Sequence, residues 1–385
     1  MVIVYLMAAA CGAYCMPIIC RRVMIPSSVG EFFFGMFIVI FIPIGEVKEF
    51  HLLSEIGFLL LMYIAGLELD LDRISALNSG EIRSYGGYLI LLVTVSLAFT
   101  KLFNFPSFFA LVLMTSAIGL LYPVLKDIKL VKTSLGQTMI MLGAMGEILT
   151  LALLAAASIY AKAEGAADIL LQAAGFIAFI AAIFISTKLL KLFLWWHPEM
   201  LRFFMTVGNP TETGVRANLA NMFIFAGLSY LLGIEPILGA FLGGVIFAKL
   251  FADREEILER LSGFGYGFLI PFFFIEVGTR FSFRDFTNTS ILFKALVLAG
   301  AILLVRVVSA FALIRTVEMK REVLFIAVSQ SFPLTMLVAA ATMGLNNSMI
   351  DASAASPIIL CAVITATVCP LFMKIVCRKR EIALK

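Results

Sequence analysis

The chain has 385 residues, of which 62% are hydrophobic and 14% charged, with a mean hydropathy of +1.06. A soluble domain is about half apolar and a quarter charged, so this composition excludes an ordinary soluble protein. The net charge of +4 is spread over short loops, with no separate basic domain, and gives no basis for a nucleic-acid partner.

Apolar runs recur from one end to the other, each near the ~20 residues that a helix needs to cross a bilayer core. Lipid offers the backbone no hydrogen-bond partner, so only helices or closed barrels span it. The runs are continuous and do not alternate, which makes them helices. The expected fold class is an all-α polytopic membrane protein of about thirteen transmembrane helices. In chain order the spans fall near 2–20, 28–44, 53–68, 84–102, 107–124, 135–160, 167–195, 212–232, 236–250, 263–279, 290–315, 322–344 and 353–376. The seventh is long and leads into "KLLKLFLWWHPEM", whose paired tryptophans suit a headgroup layer.

An odd number of spans puts the ends on opposite sides. The loops of one set carry Arg21, Arg22, Arg73, Arg83, Lys126, Lys129, Lys132 and, further on, Lys249, Arg254, Arg260 and the tail "CRKREIALK". The opposite set holds few basic residues, among them Lys48, Lys101 and Lys294. Basic loops stay in the cytoplasm. The expected location is therefore a bacterial inner (plasma) membrane, multi-pass, with the N-terminus outside and the C-terminus cytoplasmic.

The sequence repeats itself. "PSSVGEFFFG" at 26–35 is echoed by "EPILGAFLGG" at 235–244, and "GFLLLMYIAGLELDLDR" at 57–73 by "GFLIPFFFIEVGTRFSFR" at 267–284. Helices one to six (1–160) then form one repeat and helices eight to thirteen (211–385) another, with 161–210 as linking helix and interfacial segment. Seven helices separate corresponding members, so the repeats are inverted, a signature of secondary transporters. In such folds the site lies where two helices are interrupted at corresponding places. The fifth span contains "LMTSAIGLLYP", interrupted by Thr115, Ser116 and Gly119. The twelfth contains "SQSFPLT", with Ser329, Gln330, Ser331, Pro333 and Thr335. Proline removes a backbone donor and breaks the helical ladder. Two crossed broken helices are expected.

Ionisable residues inside membrane helices mark functional sites. Glu147 lies mid-span in the sixth helix and Arg306 mid-span in the eleventh. Arg306 is always protonated, and Glu147 is its expected counter-charge. Glu276 lies near the end of the tenth helix, with Arg280 one turn on as its expected partner and a secondary transport role as the alternative. Glu31 and Glu55 sit at helix starts, where a carboxylate suits the dipole, and Glu68 and Asp70 follow a helix into a loop. These four read as structural. The six cysteines read as small packing residues, and His51 and His197 as interfacial.

Taken in order, "IPSSVGEFFFGMF", "EIGFLLLMYIAGLELDLDRI", "LMTSAIGLLYPVLKD", "GQTMIMLGAMGEILTLALL", "GIEPILGAFLGGVIFAK" and "YGFLIPFFFIEVGTRFSF" resemble the monovalent cation:proton antiporters, sodium/proton or potassium/proton exchangers. The resemblance covers nearly the whole chain, as a membrane domain only. It implies thirteen or so helices in inverted repeats, an essential acid at Glu147 and a basic residue at Arg306. It also implies a homodimer whose core domain moves against a dimerisation domain. One departure stands out. The family has a polar pair at the acid position, whereas here the pair is Gly146-Glu147.

The expected function is secondary active exchange of a monovalent cation (Na+ or K+) for protons. Glu147 would bind either one proton or one transported alkali cation, with Thr115, Ser116 and freed carbonyls supplying neutral oxygens. A single carboxylate implies electroneutral exchange. The alternatives are a sodium-coupled organic anion symporter of related fold, a channel-like potassium efflux protein, and a non-transporting membrane sensor. No enzyme motif and no cofactor-binding motif is found; the expected partners are the transported cation and proton, the lipid bilayer and a second copy of the chain.

Overall fold

The computed structural model describes residues 2–23, 25–41, 47–69, 77–162, 212–232, 235–250, 255–279, 288–314 and 320–383, with isolated positions between 174 and 196. The described elements are helical throughout. They are α1 (Val2–Val23), α2 (Ser27–Ile38), α3 (Lys48–Glu68), α4 (Ser79–Leu102), α5 (Phe108–Met114), α6 (Leu121–Asp127), α7 (Ser134–Lys162) and α8 (Thr213–Leu231). There follow α9 (Pro236–Leu250), α10 (Glu255–Phe264), a π-turn (Gly265–Leu269), α11 (Ile270–Thr279), α12 (Thr289–Ala310), α13 (Lys320–Ser329), α14 (Leu334–Asn346) and α15 (Ala352–Ala383).

Helix is found at every expected span except 167–195, which, with the tryptophan segment and His197, lies largely outside the described residues. Among the described residues, seven helices are long and apolar enough to cross a membrane, and the bent pair α13–α14 makes an eighth. The count of thirteen is thus not reproduced by length alone. The reasons are physical: α2 and α9 are short apolar helices, and the fifth span is two seven-residue helices, α5 and α6.

The chain forms two compact units. Unit 1 comprises Met1–Cys15, Glu31–Ser75 and Ala155–Arg280; unit 2 comprises Met16–Gly30, Ala76–Leu154 and Phe281–Lys385. Neither coincides with the sequence halves 1–160 and 211–385, because each unit draws on both.

Unit 1 is built around α3, whose residues from Leu60 to Leu67 are all buried. Two pairs of glycines set its packing. A Cβ on Gly66 of α3 would lie 2.1 Å from the Phe241 carbonyl oxygen of α9, and one on Gly244 of α9 would lie 2.2 Å from that of Tyr63. The same reciprocity joins α2 and α11: a Cβ on Gly35 would meet the Ile275 oxygen at 2.0 Å, and one on Gly278 the Phe32 oxygen at 2.1 Å. Helices in lipid associate through close van der Waals contact, for which small residues are needed. Gly35 and Gly244 are the matched glycines of one repeated motif, and Gly66 and Gly278 the exit glycines of the other. The first helix of each repeat motif therefore packs on the second helix of the other.

The two exit glycines differ in spacing: Gly57 to Gly66 against Gly267 to Gly278. The π-turn at Gly265–Leu269 absorbs extra chain immediately before Pro271, which has no N–H to give to the helix. Aromatic packing completes the α3–α11 contact, with Phe58 and Phe273 stacked at 4.3 Å. A polar link joins α3 to α8: the Tyr63 hydroxyl donates to Asn218 at 2.7 Å and accepts from the Asn221 amide at 3.1 Å.

In unit 2, α14 is buried over most of its length and packs with α15, while α12 packs on α4, α13 and α15. Asp351 heads α15; the Ser353 hydroxyl and the Ala354 N–H both donate to it, holding its carboxyl below the usual carboxylate range. At the other end of α15 Lys374 pairs with Asp127 of α6 at 2.8 Å. In unit 1 His51 and Glu276 lie 3.3 Å apart. The six cysteines are all free thiols; Cys20 and Cys361 are buried, whereas Cys11 and Cys15 are exposed.

Gly66→Ala and Gly244→Ala are expected to lower the unfolding temperature in detergent, since overpacking costs about 1–3 kcal/mol. Gly300→Ala, where a Cβ meets nothing within 4 Å, is expected to leave it unchanged or raise it.

Candidate functional site

The site lies in unit 2, where both interruptions foreseen in the sequence occur. Helix α5 ends at Met114 because Thr115 turns its hydroxyl back onto the Val112 carbonyl, at 2.7 Å. Hydroxyl side chains compete in this way with the helical ladder. Helix α13 ends similarly: Ser329 donates to Ile326 and Ser331 to Ala327, each at 2.7 Å. Pro333 then caps α14, and the two halves are bent by 43°. The breaks touch. Ser116 donates its hydroxyl to Gln330 Oε1 at 3.3 Å, and a Cβ on Gly119 would lie 3.8 Å from the Thr335 methyl. Gln330 is anchored in turn by donating to the Met139 carbonyl at 2.9 Å.

The freed backbone between α5 and α6 needs partners, and two charged residues supply them. Arg306 of α12 donates through Nη2 to the Thr115 carbonyl. Glu147 of α7 accepts at 3.1 Å from the Ile118 N–H. Thr150, one turn beyond Glu147, accepts at 3.0 Å from the Ser116 N–H while donating to the Gly146 carbonyl at 2.7 Å. Carbonyl, amide and amide along four residues are thus met by cation, hydroxyl and carboxylate.

Among the described residues no ion pair between Arg306 and Glu147 is found; Arg306 grips the carbonyl on one side of the break while Glu147 grips an amide on the other. Glu147 and Arg306 both have 0% exposure. Glu147 Oε1, Arg306 Nε and Nη1 and the Tyr88 hydroxyl are buried with no hydrogen-bond partner. Tyr88, on α4, lies within electrostatic reach of the guanidinium. A buried polar atom left unpaired costs about 1–3 kcal/mol; the Tyr88 hydroxyl and the Arg306 guanidinium interact with each other, and Glu147 Oε1 keeps its acceptor capacity.

Thr115 and Ser116, expected as neutral cation ligands, are both fully buried at the break, but their hydroxyl protons are spent on Val112 and Gln330. Their oxygens keep acceptor lone pairs. Gly146 has a steric cause: a Cβ there would lie 2.6 Å from the Ser116 Cβ. The glycine lets the broken segment settle directly on α7. Ser329, Ser331 and Pro333 shape the second break and do not reach Glu147 by any hydrogen bond described. Thr150 and Tyr88 were not singled out from the sequence. Thr150 follows Glu147 at helical spacing, a usable signal; Tyr88 sits in an apolar run with none.

Glu276 lies in unit 1 and does not belong to this site. Its expected partner Arg280 lies outside the described residues; its carboxylate faces His51 and Ser54. Glu31, read as a helix-start carboxylate, is 3% exposed, a second deeply buried acid.

Gly146→Ala is expected to impair both folding stability and activity, at the overpacking cost of about 1–3 kcal/mol. The double variant Gly146→Ala/Ser116→Gly, which removes the clashing Cβ, should recover stability in a thermal melt.

Comparison with known proteins agrees with this architecture. YjbQ of Bacillus subtilis (strain 168) is 27% identical over 350 residues, covering 86% of this chain; the chain spans 55% of that relative's length. The Na(+)/H(+) antiporter of Enterococcus hirae is 26% identical, covering 74% of each chain. The Na(+)/H(+)-K(+) antiporter GerN of Bacillus cereus is 26% identical, covering 68% of this chain and 67% of its own. The fold is that of the sodium proton antiporter MjNhaP1 of Methanocaldococcus jannaschii, with a TM-score of 0.62 at 15% identity over 97% of this chain and 96% of that one. The family described as sodium/hydrogen exchanger, transmembrane, matches residues 6–379. The chain belongs to the sodium/hydrogen exchanger transmembrane family.

Proposed function

We propose that the protein exchanges a monovalent cation, sodium or potassium, for protons across the membrane. The observation that carries this reading is Glu147: a wholly buried carboxylate with one oxygen on a backbone amide and the other unpartnered, at the meeting of two broken helices. An unpaired buried carboxylate is costly, and either a proton or a dehydrated cation removes the cost. Arg306 donates through Nη2 to the Thr115 carbonyl, and no hydrogen bond from it to the Glu147 carboxylate is described. Proton and cation compete for one group, and competition at one group suffices for exchange.

The cation is a hard ion and takes oxygen ligands. Glu147 Oε1 supplies the charge; the hydroxyls of Thr115 and Ser116 and the carbonyls of the broken segments are the neutral oxygens at hand. Arg306 acts on the site through the Thr115 carbonyl, fixing the segment and opposing the approach of a second cation. One titratable carboxylate gives one cation per proton, hence electroneutral exchange. Members of this family named for sodium and for sodium with potassium both resemble the chain, in keeping with either ion as substrate. The family resemblance also supports inverted repeats and a homodimer, and the basic residues of alternate loops support a cytoplasmic C-terminus. No observation favours an organic-anion symporter, a channel or a sensor.

In proteoliposomes with a pH dye inside, an imposed sodium or potassium gradient should drive proton flux. Glu147→Gln should reduce that flux to background; exchange at the wild-type rate would refute the mechanism. Clamping the membrane voltage with valinomycin and potassium, while sodium drives exchange, should leave the rate unchanged, and voltage dependence would refute one-for-one stoichiometry.

A further inference from the structure

Unit 2 contains a cavity of about 440 Å³ that none of the exchange residues lines. It lies among the α4–α5 connection, the first turn of α5, the first part of α12 and the head of α15. Its wall is apolar and includes Phe105, Phe109, Phe293, Val297 and Pro357. Its charged lining is Lys294 and Asp351. Small-molecule sites are mostly apolar cavities of about 300–1,000 Å³ with a few placed polar groups.

The two charges stand at the ends of spans. Helices α12 and α15 are both long and apolar enough to cross a membrane. Lys294 lies in the second turn of α12, and Asp351 directly ahead of α15. The Ser353 hydroxyl and the Ala354 N–H hold the Asp351 carboxylate in place, at 2.9 and 3.0 Å. Lys294 acts on it electrostatically, yet among the described residues no ion pair closes between the two. Phe293 and Val297 are 66% and 38% exposed, so the cavity opens onto the outside of a spanning helix, where lipid lies.

The occupant therefore comes from the bilayer. An alkyl chain suits the aromatic wall, and the headgroup attached to it must meet one cation and one carboxylate. A phosphate would face Lys294. A headgroup with net negative charge would set a second anion against Asp351. A choline group offsets that charge but has no N–H to donate. A primary ammonium brings both the charge and the donors, and charge-assisted hydrogen bonds are the strong ones. We propose that the cavity binds one phospholipid with a primary-ammonium headgroup, its acyl chain on Phe105, Phe109 and Phe293, its phosphate on Lys294 and its ammonium on Asp351. The acyl chain lies against α5, and from Phe109 it is roughly 9 Å of helix to Thr115 at the first break. The lipid thus backs the first half of the broken helix. This inference needs only that the chain spans a membrane.

The test uses the full-length protein in detergent, stripped of lipid. Phosphatidylethanolamine, phosphatidylcholine and phosphatidylglycerol of the same acyl chains are titrated in turn, and bound lipid is counted by native mass spectrometry. Phosphatidylethanolamine should bind saturably, one per chain, and about tenfold tighter than the other two, as a charge-assisted hydrogen bond gives. Asp351→Asn, which still caps α15, should bring it down to the level of phosphatidylcholine. Lys294→Gln should weaken both. Ala354→Leu enlarges a side chain that lines the cavity and should remove the saturable site. Added phosphatidylethanolamine should raise the unfolding temperature of the wild type by mass action, and not that of Ala354→Leu. Equal binding of the three lipids, a preference for phosphatidylglycerol, or binding unchanged in the variants overturns the proposal and leaves an ordinary boundary lipid. Gel filtration reports folding of each variant, and the two exposed-charge variants keep the test decisive if Ala354→Leu does not fold. No transport is measured, so failure here is separate from failure of the exchange reading.

Discussion

A peptide segment that leaves the helix inside a membrane exposes N–H and C=O groups with no water to meet them. The rest of unit 2 is arranged around that constraint at residues 115–118. Arg306 meets the Thr115 carbonyl, Thr150 the Ser116 amide and Glu147 the Ile118 amide. The two charged residues that look like an ion pair in the sequence are the two clamps of one broken helix. The break needs the charges, and the charges need the break, because neither would be tolerated in a continuous apolar bundle. Among the atoms this mutual satisfaction leaves over is one oxygen of the Glu147 carboxylate. That surplus is where ion chemistry can happen.

Gly146 shows how closely the segment is seated. Position 146 has no side chain, and Ser116 takes up the space beside it. The hydroxyl of Ser116 in turn reaches Gln330 of the second broken helix. A change at α7 is therefore felt at both breaks.

Unit 1 is organised by a different force. Its helices meet backbone to backbone at Gly35, Gly66, Gly244 and Gly278, where even a methyl group would collide with a carbonyl oxygen. The reciprocal pattern, each repeat motif's first helix on the other's second, is what pairing of two inverted copies produces. Polar groups are few here, and the His51–Glu276 contact is accordingly conspicuous. With the Ser54–Glu276 hydrogen bond it ties together two helices that also meet through stacked aromatic rings.

Much of this was legible in the sequence, because lipid imposes coarse rules. Length and continuity of apolar runs determined that the chain crosses the membrane as helices, proline and hydroxyl clusters located both breaks, and isolation in an apolar run marked Glu147 and Arg306. The repeated glycines were visible as a motif. Tertiary structure alone decided what these residues touch. A one-dimensional pattern cannot say that Arg306 turns to a carbonyl and not to Glu147, since both contacts satisfy a buried cation. Nor can it reveal Thr150 and Tyr88, which are unremarkable by composition and matter only by position. It could not separate Glu276 from the central site, because its partners His51 and Ser54 lie more than two hundred residues away in the chain. Sequence sets which groups must be satisfied; only packing in three dimensions chooses the partner.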